Sequence, residues 1–164
     1  MPNREETRNL ETIPVGPLGL IPLPSCAEIG DKIHYYLVKW RKERENEHKN
    51  TLSFSGYQKE TFIMEHKLPR FGSGEGKGVI LESVRGDDLY LLVDVCNYSL
   101  TYTVAGHLNH MSPDDHFQDL KRIIAAVEGK AKRITVIMPF LYESRQHKRT
   151  ARESLDCAIA LQEL

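Results

Sequence analysis

The hydrophobic positions of the chain change period along its length, and each change marks an element. Leu18 to Leu23 is a short apolar run with Pro22 and Pro24 at its end. It predicts a strand, and the prolines favour its end or an edge position. Ser25 and Glu28 form an S-x-x-E capping-box pattern. Behind them Ile29, Ile33, Tyr36, Leu37 and Trp40 recur at helical spacing, which predicts a helix to about Arg41 that runs out into the charged KERENEHKN. Thr61 to Leu68 alternates, with Phe62, Met64, His66 and Leu68 on one face of a half-exposed strand. Gly72 to Gly78 is glycine-rich and separates it from Val79–Glu82, as a hairpin loop would.

Arg85 to Asp88 reads as a turn, and Leu89 to Val95 as a buried strand. Ser112, Pro113 and Asp115 open the best-marked helix, with Phe117, Leu120, Ile123, Ile124 and Val127 as its buried stripe. Gly129 ends it, and Lys130, Lys132 and Arg133 complement its negative end. Ile134 to Met138, closed by Pro139, is β-branched-rich and predicts a buried strand of a parallel sheet. A last helix is expected from about Arg152 to Leu164, carrying Leu155, Ala158, Ile159 and Leu161. Strand, helix and strand in that order predict a right-handed parallel unit. The fold class is therefore α/β: a mostly parallel sheet flanked by helices, with a β-hairpin-like segment. Residues 1–16 read as a flexible arm and 17–164 as the domain.

Composition narrows the partners. The 164 residues suit one domain, and 40% hydrophobic with 27% charged residues is ordinary for a packed globular chain. The net charge of −1 supplies no global field for nucleic acid, so any anion site must be local. No apolar run approaches the ~20 residues of a membrane span. The polar, acidic N-terminus does not read as a signal or transit peptide. Cys26, Cys96 and Cys157 are far apart and form no CxxC, as expected of reduced thiols in a cytoplasmic protein. Neither a membrane nor a nucleic acid is an expected partner.

The candidate chemistry gathers after Pro139. Arg145, His147, Lys148, Arg149 and Arg152 crowd one loop beyond the expected end of a parallel strand. Ligands of open α/β sheets bind there, and cations beside a helix N-terminus suit an anion such as phosphate. A solvated charged loop has the same composition, so charge alone leaves both readings open. The glycines Gly72 and Gly74 allow close backbone approach to a ligand, but the P-loop pattern is absent. His107, His110 and His116 lack a carboxylate partner at helical spacing, and no metal site is expected from them.

Residue order carries more than charge. The segment MPFLYESRQHKRTARES resembles the strand–loop–helix of the ribose-phosphate pyrophosphokinases, the phosphoribosyl pyrophosphate (PRPP) synthetases, whose loop reads roughly PYYxYxRQDRKxxxRE. Pro139, Phe140, Arg145 and Gln146 match directly, and Arg152 and Glu153 match if the loop is one residue shorter here. Lys148 and Arg149 stand at an Arg-Lys pair in swapped order. Upstream, RFGSGEGKGVILESVRGDDLYLL resembles RFSDGExxVxxxESVRGDDVFxx, with Arg70, Phe71, Gly74, Glu75 and the whole run Glu82–Asp88 in common. The likeness extends over about Leu68 to Leu164.

The resemblance implies the N-terminal, phosphoribosyltransferase-like half of a two-domain enzyme. Such an enzyme transfers the pyrophosphoryl group of ATP to ribose 5-phosphate, making PRPP for nucleotide biosynthesis. It implies that Phe71 packs on adenine and Glu75 helps recognise it, from a neighbouring subunit of a homo-oligomer. Arg145 would lie against the other face of the base, and Gln146 would line the nucleotide site. His147, Lys148, Arg149 and Arg152 would sit on the phosphate side. Magnesium is implied as cofactor, with ligands mainly outside this chain, and no catalytic residue is expected within it. The ribose 5-phosphate site would lie in a C-terminal domain absent here, because the last helix stops at Leu164 without a closing turn. The fragment alone is expected to be inactive. Two departures bear on specificity: Ser73 stands at the family's adenine-reading Asp, and His147 at another Asp of the loop. They open an alternative, a non-catalytic synthetase-like subunit that regulates or assembles by binding nucleotide or partner chains.

Overall fold

The computed structural model describes residues 14–46 and 58–164. Its centre is a parallel sheet in which β4 (Asp88–Leu92) lies between β1 (Leu18–Pro22) and β7 (Arg133–Ile137). The register places Leu20 opposite Tyr90 and Tyr90 opposite Thr135. All of β1 is buried, and it is not an edge. Phe62–Met64 lines its other side, where Leu20 N–H donates to Phe62 O at 2.7 Å and Met64 N–H donates to Leu20 O at 2.8 Å. Pro22 costs no ladder bond, because it is the last residue of the strand. The alternating run expected over Thr61–Leu68 thus divides. Phe62 and Met64 join the core, while β2 (His66–Lys67) turns to pair antiparallel with β3 (Val79–Ile80), giving the expected hairpin.

Helix α1 (Ala27–Asn46) runs past Arg41 and buries only part of the predicted stripe, with Ile33 packed on Leu20, Cys26 and Leu92. Ile29, Tyr36 and Trp40 are each about half exposed, and Gly30 is its buried residue. A Cβ on Gly30 would come within 2.3 Å of Pro22 Cβ, so the helix approaches the sheet through the position that has no side chain. The capping box is also absent. Ser25 lies in a 3-10 turn, Pro24–Cys26, and its hydroxyl accepts instead from Asp94 N–H at 3.0 Å.

Helix α2 (Pro113–Val127) matches its sequence closely. Ser112 Oγ accepts from Asp115 N–H, and Asp115 accepts in return from Ser112 N–H at 2.9 Å. Phe117, Leu120, Ile123 and Val127 are buried against Leu89, Leu91 and Val93. Glu128 and Gly129 close the helix in the left-handed conformation. Between β4 and α2 stands an unexpected hairpin, β5 (Thr101–Val104) with β6 (His107–His110). Strand β7 is half-buried rather than buried, because among the described residues it is the outer strand of its sheet.

The last helix, α3 (Asp156–Glu163), begins later than expected and turns a different face inward. Thr150 donates to Glu153, and Ser154 to Asp156, holding the preceding residues in tight irregular turns. Cys157 and Ala160 are buried, whereas Ile159 and Leu161 are about half exposed. The described cysteines are all free thiols.

Candidate functional site

A cavity of about 290 Å³ opens beyond the carboxyl ends of β4 and β7, where the strand order of an α/β sheet predicts a ligand. Val95 and Cys96 line it from the β4 side; Phe140, Tyr142, Glu143, Ser144 and Arg145 line it from the loop after β7. That loop has a firm hinge. The Tyr142 ring stacks on Phe117 of α2, with centroids 4.2 Å apart and planes at 11°. Its hydroxyl donates to Asp114 Oδ1 at 2.7 Å. Burial, then the hydrogen bond to Asp114, pushes the phenol well above its ordinary range, so Tyr142 stays a donor at physiological pH. Glu143 takes a left-handed φ of 55°, and Ser144 N–H and Gln146 N–H close turns onto Leu141 O and Glu143 O.

These turns carry Arg145 to the cavity rim. Arg145, Gln146, His147, Lys148, Arg149 and Arg152 are all exposed. His147 Nδ1 lies 2.8 Å from Ser144 O, and Gln146 O accepts from Cys157 N–H of α3 at 3.4 Å. Arg145 therefore stands at the rim of the cavity beside Glu143, while the remaining cations of the loop are exposed on the irregular run into α3. A second groove of about 350 Å³ between α2 and α3 is lined by Asp114, Glu143, Asp156 and Glu163 against one cation, Lys121, a poorer setting for an anion.

The other predicted residues occupy a separate turn. Phe71 N–H donates to Glu75 O at 2.8 Å, and Gly74 N–H donates to Phe71 O at 2.9 Å. Gly74 has φ 91°, a conformation that favours glycine. Phe71 is 53% exposed, which leaves its ring face open to a ligand. Ser73 Oγ donates to Glu75 Oε2 at 2.8 Å. The turn is fixed from below by Arg70, which donates to Asp119 Oδ2 at 2.8 Å and to Gly74 O at 3.3 Å. Arg122 holds the other carboxylate oxygen of Asp119 at 2.6 Å.

Neighbouring residues of α2 thus serve the two segments: Asp114 and Phe117 hold the cationic loop, while Asp115 and Asp119 hold the glycine hairpin. Within one chain Arg145 lines the cavity and Phe71, Ser73 and Glu75 do not. The functions of Tyr142 and Asp114 were not read from the sequence. Their only signal was a tyrosine three residues before Arg145, and its stacking partner lies on a helix that precedes β7.

Asp115 gives this arrangement a pH dependence. Burial opposes its charge, but donors on Ser112, the Arg70 guanidinium and the Tyr102 hydroxyl outweigh that and hold its carboxyl below the usual range. A depressed folded-state pKa stabilises the fold fully above the ordinary value of 3.8, and that stabilisation is lost as pH falls through the lower folded value. Asp115→Asn should therefore cost about 1 kcal/mol near neutrality. In urea denaturation the gap to wild type should narrow as pH falls below the ordinary carboxylate value; a gap independent of pH would contradict this.

Among the described residues no group of three or more His, Cys, Asp or Glu side chains is placed to hold a metal ion. His107 and His110 are exposed on β6, and buried His116 pairs its Nε2 with Asn97 O at 2.7 Å. No helix among them is long and apolar enough to cross a membrane.

Fold and cavity together define an α/β domain with a cavity at the carboxyl ends of its parallel strands. The family described as the N-terminal domain of ribose phosphate pyrophosphokinase matches residues 20–164, and the chain belongs to that family. A solved structure, the phosphoribosylpyrophosphate synthetase from Mycobacterium smegmatis, is similar at TM-score 0.59 and 21% sequence identity. The match covers 89% of this chain and 38% of that one. At that identity the likeness is one of fold, and the chain spans well under half the length of its relative. No curated protein matches.

Proposed function

We propose that this chain is the ATP-binding half of a ribose-phosphate diphosphokinase. The observation that carries the reading is the cavity at the ends of β4 and β7 with Arg145 at its rim, in a chain of this family. In the proposed reaction the anomeric hydroxyl oxygen of ribose 5-phosphate bonds to the β-phosphorus of ATP, and its proton passes to solvent. The bond from that phosphorus to the α–β bridging oxygen breaks, and AMP leaves. The phosphates are themselves the electrophile, so the protein's task is orientation and charge neutralisation. The Arg145 guanidinium would stack on the adenine, with Gln146 beside it. His147, Lys148, Arg149 and Arg152 would face the phosphates as exposed cations. Phe71 of a second chain would cover the other face of the base. Magnesium would enter with the ATP phosphates, its protein ligands lying mainly elsewhere in the complete protein, as would the ribose 5-phosphate site.

Ser73 gives this reading a specificity. Its hydrogen is committed to Glu75, which leaves the hydroxyl oxygen free to accept from the adenine amino group. Ser73→Ala should raise the KM for ATP about fivefold with little change in kcat, the worth of one hydrogen bond. A KM equal to wild type would remove Ser73 from the site.

The replacement of two family aspartates by Ser73 and His147 also favours a second reading, a synthetase-like subunit that binds nucleotide without catalysis. Magnesium-dependent AMP release from ATP and ribose 5-phosphate by the complete protein separates the two. Release supports the enzyme. ATP binding by a folded protein without release supports the regulatory subunit, and absence of both contradicts each reading.

A further inference from the structure

We infer that the β5–β6 hairpin is the platform that sets the shape of the Phe71–Glu75 turn, with Tyr102 and Val104 as positioning residues. The inference rests on the proposed role of that turn in binding the nucleotide. Strand β5 alternates: Thr101 and Thr103 are exposed, while Tyr102 and Val104 are half-buried and face the glycine turn. The Tyr102 ring lies under the Arg70 guanidinium, 4.9 Å from carbon to centroid. Its hydroxyl donates to the Asp115 carboxylate at 3.3 Å. Arg70 in turn donates to Gly74 O, so the ring locates the guanidinium and the guanidinium locates the turn.

Val104 acts on the same glycine from the side. A Cβ built on Gly74 would lie 3.0 Å from Val104 Cγ2, so the valine closes the space that the absent side chain leaves. At the hairpin tip Ala105 and Gly106 take left-handed φ values of 47° and 83°. That fold-back aims Ala105 N–H at Gly72 O, 3.1 Å away. Three contacts from one hairpin therefore converge on Gly72 and Gly74, directly or through Arg70.

Such a turn needs outside support. Glycines admit more backbone states than other residues, and a ligand that needs one state binds more weakly by the fraction of time that state is occupied. The platform raises that fraction and touches neither the base nor the phosphates. Its loss should therefore appear in ground-state binding and leave the chemical step alone.

The test is steady-state kinetics of the complete protein with Val104→Ala and Tyr102→Leu, beside the conservative Val104→Ile and Tyr102→Phe. The first pair should raise the KM for ATP about fivefold or more and leave kcat within about twofold. The second pair should restore KM, since a branched side chain and an aromatic ring are kept. Amide exchange at Gly72 to Glu75 should quicken in the first pair in the absence of ATP. Unchanged KM and exchange in Val104→Ala and Tyr102→Leu would overturn the inference while leaving the functional reading standing, as would a loss confined to kcat. A folded wild type that neither binds nor consumes ATP would overturn the functional reading, and this inference with it.

Discussion

On the proposed function, Arg145→Ala is expected to lower PRPP formation by the complete protein about a hundredfold or more, while the melting temperature stays close to wild type. The side chain is exposed at the rim of the cavity and has no ion-pair partner among the described residues, so the fold loses little with it. Its backbone is held by turns that do not need the guanidinium. On that reading, what is lost is a planar cation stacked on the adenine, where desolvation by bound ligand strengthens every charge contact. Arg145→Lys keeps the charge and loses the plane, and should recover only part of the activity. Magnesium-dependent AMP release measures both variants. Wild-type rates in Arg145→Ala would remove this loop from the site.

Asp119→Ala should have the largest effect on stability. Asp119 is buried, with Arg70 on one oxygen and Arg122 on the other, and these arginines are themselves mostly covered. Removing Asp119 takes the carboxylate partner from Arg122 and leaves Arg70 with Asp115 alone, which costs about 3 kcal/mol. For a domain of this size that is a fall of roughly 6–12 °C in Tm. The glycine hairpin should loosen as well. A Cβ on Gly76 would come within 2.6 Å of Arg122 Nη1, so the loop of the hairpin rests on that guanidinium. Asp119→Asn keeps an acceptor and should cost less. Thermal denaturation followed by circular dichroism reads the difference, and a loss below about 1 kcal/mol would show that the cluster is solvated in solution.

Helix α2 was legible in the sequence because every local signal agreed with its packing: Ser112 caps, Pro113 starts, one apolar stripe meets the sheet and Gly129 stops it. Strands β4 and β7, the glycine hairpin and the place of Arg145 beyond β7 were legible for the same reason. Helix α1 lies where it was expected, but half of its apolar face stays exposed, because period shows which residues share a face and not whether that face finds a partner. Its contact with the sheet is set by Gly30 against Pro22, a pairing that no local pattern encodes. The β5–β6 hairpin was missed because its strands are four residues long and its tip is Ala105-Gly106, not the Asn-Gly or Asp-Gly that announces such turns. The hold of Tyr142 on Phe117 and Asp114 joins segments far apart in the chain, so it could be seen only once they were packed together.

Photolabelling of the complete protein with 8-azido-ATP tests most directly whether the nucleotide sits where Arg145 and Phe71 place it. The azide is on the base, so the label should fall within the tryptic peptides Ile134–Arg145 and Phe71–Lys77 and should be displaced by excess ATP. Label that ATP displaces from other peptides alone would contradict a nucleotide site at the carboxyl ends of β4 and β7.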